Sequence, residues 1–115
     1  MAIDKDKIIK AEIRKLNKLS NEVASDKQTV AKNLVQELAF MAGTLAELKE
    51  HINTQGAIEW FKNGSQEMWR ESPALKSYST LVQRYSLLYK QLVDLLPKDN
   101  KPDESELLDF LAQEF

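Results

Sequence analysis

The chain contains no cysteine and only one histidine, His51, among its 115 residues. The missing cysteine excludes a disulfide scaffold, a thiolate metal site and a cysteine nucleophile. A single histidine nearly excludes a histidine-based zinc site or a catalytic triad. Glu47 and Glu50 share part of a helix face with His51, but di-metal carboxylate sites need such spacing on several helices. We therefore interpret these three residues as a surface cluster near a helix end, and we expect no metal ion or other cofactor.

Glycine and proline are also scarce, with three residues of each. The glycines stand apart, so neither of the glycine-rich phosphate-binding motifs can occur, and no other enzyme signature is present. The longest purely apolar run, residues 38–42, is far shorter than the roughly 20 residues that span a bilayer. The first residues lack the apolar stretch of a signal peptide. The sequence thus predicts a protein that is not an enzyme, acts inside the cell and has no membrane span.

Charge is nearly balanced, with a formal net charge of −2, but it is unevenly distributed. Residues 1–18 carry a net charge of +3 and residues 98–115 a net charge of −4, which points to two different partner surfaces. Cations at helical spacing in the first segment fall almost opposite its apolar stripe. They either neutralise nucleic-acid phosphates or form a solvated helix face. The candidate DNA-binding residues are Lys7, Lys10, Arg14, Lys15 and Lys18.

Helix signals divide the first half of the chain into two segments. Asp4 is a suitable N-cap for a basic helix within residues 1–22. Ser25 and Gln28 fit a capping box that opens a long helix over residues 25–54. Apolar residues of this long helix alternate at spacings of four and three, as in a heptad seam. The seam runs through Val30, Leu34, Leu38, Met41, Leu45, Leu48 and Ile52.

A second long helix is predicted over residues 73–96, because Ser72 supplies an N-cap and Pro73 suits the first helical position. Its apolar face is wider than one partner helix needs. Two long helices imply an elongated body whose apolar faces one copy cannot fully cover. We expect these faces to mediate self-association, with covering by the first helix as the alternative. The expected contact residues are Leu34, Leu38, Met41, Leu45, Leu48, Tyr78, Tyr85 and Leu92.

Between the long helices, residues 57–71 predict a short β-hairpin. Aromatic residues lie on both arms, and Asn63-Gly64 suits a type I′ turn, whose two central residues both need positive φ. A structured loop is the alternative. The large aromatic side chains form either a small core beneath the hairpin or an exposed surface that stacks on bases or anchors a protein interface. They are Trp60, Phe61 and Trp69.

Residues 98–115 read as a linker and a flexible acidic tail. The tail is too short to be a stable isolated helix in water. We expect it to fold on a partner protein as a helix in a groove, with packing onto the chain's own helices as the alternative. The whole chain is then an all-α fold with one domain over residues 1–97, built on two long antiparallel helices and an N-terminal helix. The expected partner-binding residues are Leu107, Leu108, Phe110, Leu111 and Phe115.

Part of the sequence resembles a known family. Residues 72–75 (Ser-Pro-Ala-Leu) precede a long helix that ends at residues 92–97 (Leu-Val-Asp-Leu-Leu-Pro). This arrangement is similar to one branch of the small terminase subunits of tailed bacteriophages, which carries an Asn/Ser-Pro-Ala motif before its last long helix. The preceding order of a long helix, Gly56, an aromatic segment and Asn-Gly at residues 63–64 is also similar. The resemblance covers roughly residues 25–97.

The resemblance implies a non-enzymatic DNA-packaging protein in the cytoplasm of a bacterial host. Small terminase subunits bind phage double-stranded DNA near the packaging start and assemble as rings. They deliver the DNA to the large terminase subunit, which holds the ATPase and the nuclease, and the acidic tail would engage that subunit. Many of them carry a helix-turn-helix, which this sequence lacks. The alternative is a small helical protein–protein interaction module without DNA binding, such as an antitoxin or a phage-encoded inhibitor.

Overall fold

The computed structural model describes residues 3–97 and 108–109. Within residues 3–97 the chain folds into three α-helices and a two-stranded antiparallel hairpin, which confirms the mainly helical fold with a hairpin between two long helices. Leu108 and Asp109 are helical and exposed, and the rest of the expected linker and tail lies outside the described residues. The elements are α1 (Lys5–Ser20), a 3₁₀ turn (Ser25–Lys27), α2 (Gln28–Gln55), β1 (Ile58–Asn63), β2 (Gln66–Glu71) and α3 (Pro73–Asp94).

The central helix is α2, and both α1 and α3 pack against it. The helix α1 runs antiparallel to α2, since Ile9 lies beside Gly43 whereas Ser20, near the other end, bonds to Lys32. Burial of apolar side chains between the three helices is the main source of stability. The buried apolar residues of the core are Leu16, Val23, Ala31, Val35, Leu38, Met41, Leu45, Tyr85, Tyr89, Leu92, Val93 and Leu96.

The close approach of α1 to α2 depends on Gly43. This glycine is buried in α2, and a Cβ placed on it would lie 2.9 Å from Cγ1 of Ile9 and 3.0 Å from Cγ of Lys5. Carbon atoms that are not bonded to each other attract best at about 3.5–4.0 Å. A larger residue at this position would therefore push the two helices apart.

Two of the expected helix starts are confirmed. Oδ1 of Asp4 accepts a hydrogen bond from the Lys7 amide at 3.1 Å, and Oγ of Ser72 accepts one from the Ala74 amide at 3.2 Å. Pro73 follows Ser72 at the start of α3, where a missing amide proton has no cost because it would have no helical partner.

The expected capping box at the start of α2 is wrong. Ser25 begins the 3₁₀ turn, and the N-cap position falls on Lys27, which makes no side-chain cap bond. The side-chain amide of Gln28 instead donates to the carbonyl oxygen of Ser20 at 2.8 Å and to that of Val23. Carbonyl groups at a helix end lack intrahelical donors. Gln28 therefore satisfies the end of α1 and ties it to the start of α2.

The hairpin is confirmed, but its turn lies one residue later than expected. Asn63 pairs with Gln66, so the two residues between them form the loop. Gly64 has a φ of 62°, and no described residue other than glycine has a positive φ. This is the pattern of a type II′ turn, with glycine at the first central position, rather than of a type I′ turn. The register that follows places Trp60 opposite Trp69.

The hairpin extends the long axis of the molecule. The structure measures 60 × 26 × 23 Å, whereas the longest helix, α2, accounts for about 42 Å of that length. The side chains of both strands stay largely exposed. At the base of the hairpin, the Ser72 amide donates to the carbonyl oxygen of Ala57 at 2.8 Å, which joins the hairpin to the first turn of α3.

Candidate functional site

Four basic side chains form an exposed face on α1. Lys7, Lys10, Arg14 and Lys18 are all exposed, and no ion pair links any of them to another described residue. Together they span about 16 Å of helix. This basic face was expected from the sequence, and the fold leaves it open to solvent on the outer side of α1.

Lys15 does not belong to the basic face. Its ammonium group lies 3.3 Å from Oε1 of Glu12, and its side chain is half-buried. Lys5 is engaged in the same way, because its ammonium group lies 2.8 Å from Oε1 of Glu47 and 4.6 Å from the ring centre of Phe40. Lys15 is thus paired with a carboxylate of the same helix, and its expected contact with phosphates stays a prediction. Lys15 follows Arg14 by one residue, which rotates its side chain by about 100° around the helix axis, away from the basic face and toward the buried carboxylate of Glu12.

That buried carboxylate, Glu12, was not recognised from the sequence. Its side chain is 8% exposed, and the Tyr85 hydroxyl donates to it at 3.5 Å. Burial, assisted by the charge of Glu12, raises the pKa of Tyr85 and raises that of Tyr89 to about 12. Both phenols are therefore protonated at neutral pH. A signal was present, because Glu12 lies one helical turn before the buried Leu16, on the apolar side of α1.

The Glu12–Tyr85 contact joins α1 directly to α3. At the far end of α1, the Lys32 ammonium group lies 2.9 Å from Oγ of Ser20 and 2.9 Å from Oδ1 of Asn21. These polar contacts, together with the close packing at Gly43, fix the position and orientation of α1 relative to α2 and α3. They therefore fix the direction in which the basic face points.

The residues expected to form subunit contacts build the core of one copy. Both α1 and α3 pack on α2. The alternative considered from the sequence, covering of the apolar faces by the first helix, therefore accounts for part of the burial of these residues. Met41 and Leu48 also line a groove between α2 and α3, so contact of these residues with a second copy stays a prediction. Five of the eight expected residues are buried, namely Leu38, Met41, Leu45, Tyr85 and Leu92. The other three are half-buried, namely Leu34, Leu48 and Tyr78.

An open apolar groove lies between α2 and α3. Phe40 on α2 is 55% exposed and Leu87 on α3 is 63% exposed, and the groove between them has a volume of about 480 Å³. It continues past Leu81 and Arg84 toward Lys76. We call this surface the α2–α3 groove. The sequence signal was weak, because Phe40 and Leu87 fall beside the heptad positions rather than on them.

The aromatic residues of the hairpin do not form a small core, since two of the three are exposed. Trp60 and Trp69 are 52% and 65% exposed, although their rings meet edge to face with centres 5.3 Å apart. Phe61, on the opposite face of the hairpin, is half-buried beneath the Arg70 guanidinium, 4.0 Å from the ring centre. The alternative of an exposed surface therefore fits the hairpin. We call the side that carries Ile58, Trp60 and Trp69 the tryptophan face.

The remaining candidate residues are those near the end of α2 and those in the C-terminal tail. Glu47 is paired with Lys5, and His51 is exposed. In the part of the chain that the structure describes, no group of acidic or histidine side chains is arranged to hold a metal ion. Of the expected partner-binding residues, only Leu108 is described, and it is exposed. The others, Leu107, Phe110, Leu111 and Phe115, lie outside the described residues.

No helix among the described residues is long and apolar enough to cross a lipid bilayer. Comparisons of the chain with protein-family models, with curated proteins and with solved structures found no match. Three surfaces of the structure are the candidates for a functional role, namely the basic face of α1, the α2–α3 groove and the tryptophan face of the hairpin.

Proposed function

We propose that this protein is a non-enzymatic DNA-binding adaptor of phage genome packaging, of the small terminase type, and that it works as a ring of identical copies. The observation that carries the proposal is the basic face, where four exposed cations on one helix have no acidic partner among the described residues. Cations in such a row neutralise phosphates and release counterions. A ring would repeat the row and build a strong local field from a chain that is slightly acidic overall.

The resemblance to small terminase subunits supports the same proposal. The residues that carry it have a structural role here, because Ser72 caps α3 and also bonds to Ala57 at the base of the hairpin. In this proposal the protein acts in the cytoplasm of the bacterial host. The large terminase subunit supplies the ATPase and nuclease, and it is engaged by the acidic tail through Leu107, Leu108, Phe110, Leu111 and Phe115.

The test is a salt-dependent DNA titration. We expect the double variant Lys10→Glu/Arg14→Glu to bind a fluorescently labelled DNA duplex at least about tenfold more weakly than the wild type at low salt, because two phosphate contacts are lost. We also expect a smaller dependence of the affinity on salt, since each lost phosphate contact lowers the salt slope by about one. Fluorescence anisotropy at several salt concentrations measures both quantities. Light scattering on a sizing column checks that the assembly is unchanged.

Lys27→Glu/Lys90→Glu is the matched control. It makes the same change in net charge at two exposed positions away from the basic face. We expect it to keep most of the affinity and the wild-type salt slope. Equal losses in the two variants would show that only net charge matters, and no loss in Lys10→Glu/Arg14→Glu would refute the role of α1.

One observation favours the second candidate, a protein–protein interaction module without DNA binding. The tryptophan face and the α2–α3 groove both expose large apolar side chains, and apolar patches of this kind mark protein interfaces. A stoichiometric inhibitor would be a monomer or a dimer in solution. A discrete higher oligomer that binds DNA distinguishes the packaging adaptor from such a module.

A further inference from the structure

The tryptophan face is an apolar projection. Its members lie on one side of the hairpin because Ile58, Trp60 and Trp69 occupy matching positions in the antiparallel register. All three are more than half exposed. An isolated two-stranded hairpin is marginally stable in water, so a hairpin whose largest side chains face solvent gains stability from a surface that covers them.

The α2–α3 groove is an apolar recess of suitable size. It is lined by Phe40 and Met41 on one side and by Leu81, Leu87 and Leu88 on the other. Its volume of about 480 Å³ is within the range of roughly 300–1,000 Å³ that is typical of small-molecule pockets, which is enough room for an indole side chain. The fold thus places a large apolar projection and a large apolar recess on one chain.

The tryptophan face and the Phe40–Leu87 part of the groove lie apart within one copy. Phe40 lies 15 residues before the end of α2 at Gln55, and Leu87 lies 14 residues after the start of α3 at Pro73. The groove centre is therefore about 20 Å along the helices from the end that carries the hairpin, and the hairpin extends away from that end.

Charges on the two surfaces are complementary. On the tryptophan face Lys62 pairs with Glu67 at 3.4 Å, which leaves Glu71, opposite Ile58, as the uncompensated charge. The groove has Arg84 and Lys76 along its length and one acidic residue, Glu37, in its lining. The tryptophan face thus has one net negative charge and the whole groove one net positive charge, with Arg84 and Glu37 beside the Phe40–Leu87 part and Lys76 nearer the hairpin.

The two tryptophans supply part of the area that a specific contact needs. Two tryptophans that each bury about 150–250 Å² when covered, and that are more than half exposed, supply roughly 200 Å² of the ~500 Å² per side that a minimal specific interface needs. Ile58, Lys62 and the open strand edge add to this on the hairpin, and Phe40 and Leu87 add to it in the groove. Pairing two tryptophan faces with each other would cover the indoles but would leave the groove open and bring like charges together.

We infer that the tryptophan face of one copy docks into the α2–α3 groove of a second copy. The contact joins two different surfaces, so each copy has one projection and one groove left to continue the assembly. Such head-to-tail contacts close into a ring when the rotation between copies allows it. The inference deepens the proposed function by naming the contact that builds its ring. It rests on the proposed function for the role of the ring in DNA packaging, whereas the contact itself is argued from the two surfaces.

The absence of cysteine allows a clean cross-linking test. Lys62→Cys marks the tryptophan face and Gln91→Cys marks the end of the groove, and each variant of the full chain then has one thiol. The two proteins are mixed and treated with a short flexible bismaleimide, and mass spectrometry identifies the products. We expect 62–91 cross-links between copies. Products that are only 62–62, or no product between copies, would overturn the inference.

Neighbouring residues on opposite faces of β2 supply a second measurement. Trp69→Ala removes an anchor of the tryptophan face, whereas Met68→Ala truncates a side chain on the other face. We expect Trp69→Ala to weaken self-association, followed by light scattering against concentration, by about tenfold or more, as for an interface anchor. Met68→Ala should change it by less than about twofold. Equal effects of the two variants would contradict a contact through the tryptophan face.

The outcomes separate this contact from the proposed function. A wild-type oligomer that binds DNA but gives no 62–91 product would remove the contact and keep the packaging role. A 62–91 product from a protein that does not bind DNA would keep the contact and remove the packaging role.

Discussion

In the helical body most of the large apolar side chains are buried, whereas in the hairpin most of them face solvent. Leu38 and Tyr85 have no exposed surface, while Trp60 and Trp69 keep more than half of theirs. The same chain therefore holds two regions of similar apolar content but opposite burial. Apart from exposed positions such as Phe40 and Leu87, the body covers its large apolar residues within one copy, whereas the hairpin leaves both tryptophans exposed.

The hairpin is stabilised by local contacts. Arg70 pairs with Glu59 at 2.6 Å and stacks on Phe61, and the two indoles meet edge to face. Exposed ion pairs contribute about 0–1 kcal/mol each, and an aromatic pair about 0.5–1.5 kcal/mol. These contacts set the register and leave the overall stability of the protein to the body. Variants in each region test that division.

The largest effect is expected in the body. Leu38→Ala should lower the free energy of unfolding by about 3–5 kcal/mol, because it removes a fully buried side chain and leaves a cavity. Urea denaturation followed by circular dichroism measures the change. Val30→Ala on the same helix is the control and should cost less than about 0.5 kcal/mol, because Val30 is exposed. A loss below about 1 kcal/mol for Leu38→Ala would contradict the assigned core.

An intermediate effect is expected at alkaline pH. Tyr89 has a pKa of about 12 in the folded protein against 10.0 in an exposed tyrosine, so the unfolded chain loses this proton first. Stability from this source is complete below pH 10.0 and is lost as the pH rises toward 12, by roughly 1–2 kcal/mol. Urea denaturation across this range measures it. Tyr89→Phe should flatten the decline, whereas the control Tyr78→Phe should keep it; identical declines would refute the assignment.

The smallest effect is expected in the hairpin. Gly64→Ala places a side chain at a φ of 62°, which should destabilise the turn by about 1 kcal/mol. Hydrogen exchange of the strand amides should become several-fold faster, while the urea midpoint of the body stays the same. The adjacent Ser65→Ala serves as the control and should leave the exchange rates unchanged. A shift of the global midpoint in Gly64→Ala would show that hairpin and body unfold together.

Much of the fold could be predicted from the sequence, because its signals are local. Asp4 and Ser72 cap helices in the way that their side chains and positions favour. The alternating apolar spacings indicated both long helices. The basic face followed from helical spacing alone, since cations opposite an apolar stripe must point outward when that stripe is buried.

The remaining features depend on contacts between distant residues, which spacing does not reveal. Gln28 bonds to the end of α1 rather than capping α2. Lys15 turns to Glu12, whose burial required knowledge of how α1 and α3 sit together. The heptad positions were correctly identified as an apolar seam, but whether a second copy or the chain's own helices cover them is a property of the packed structure.

The fixed position of α1 on α2 has a thermodynamic consequence. Gly43 holds one end of the helix against α2, and Gln28 and Lys32 hold the other. A helix that is held in place loses little backbone entropy when its row of charges meets a regular array of opposite charges, so only the Lys and Arg side chains have to be ordered. Association through this row would therefore be governed by the release of ions from the partner, with only a small change in heat capacity.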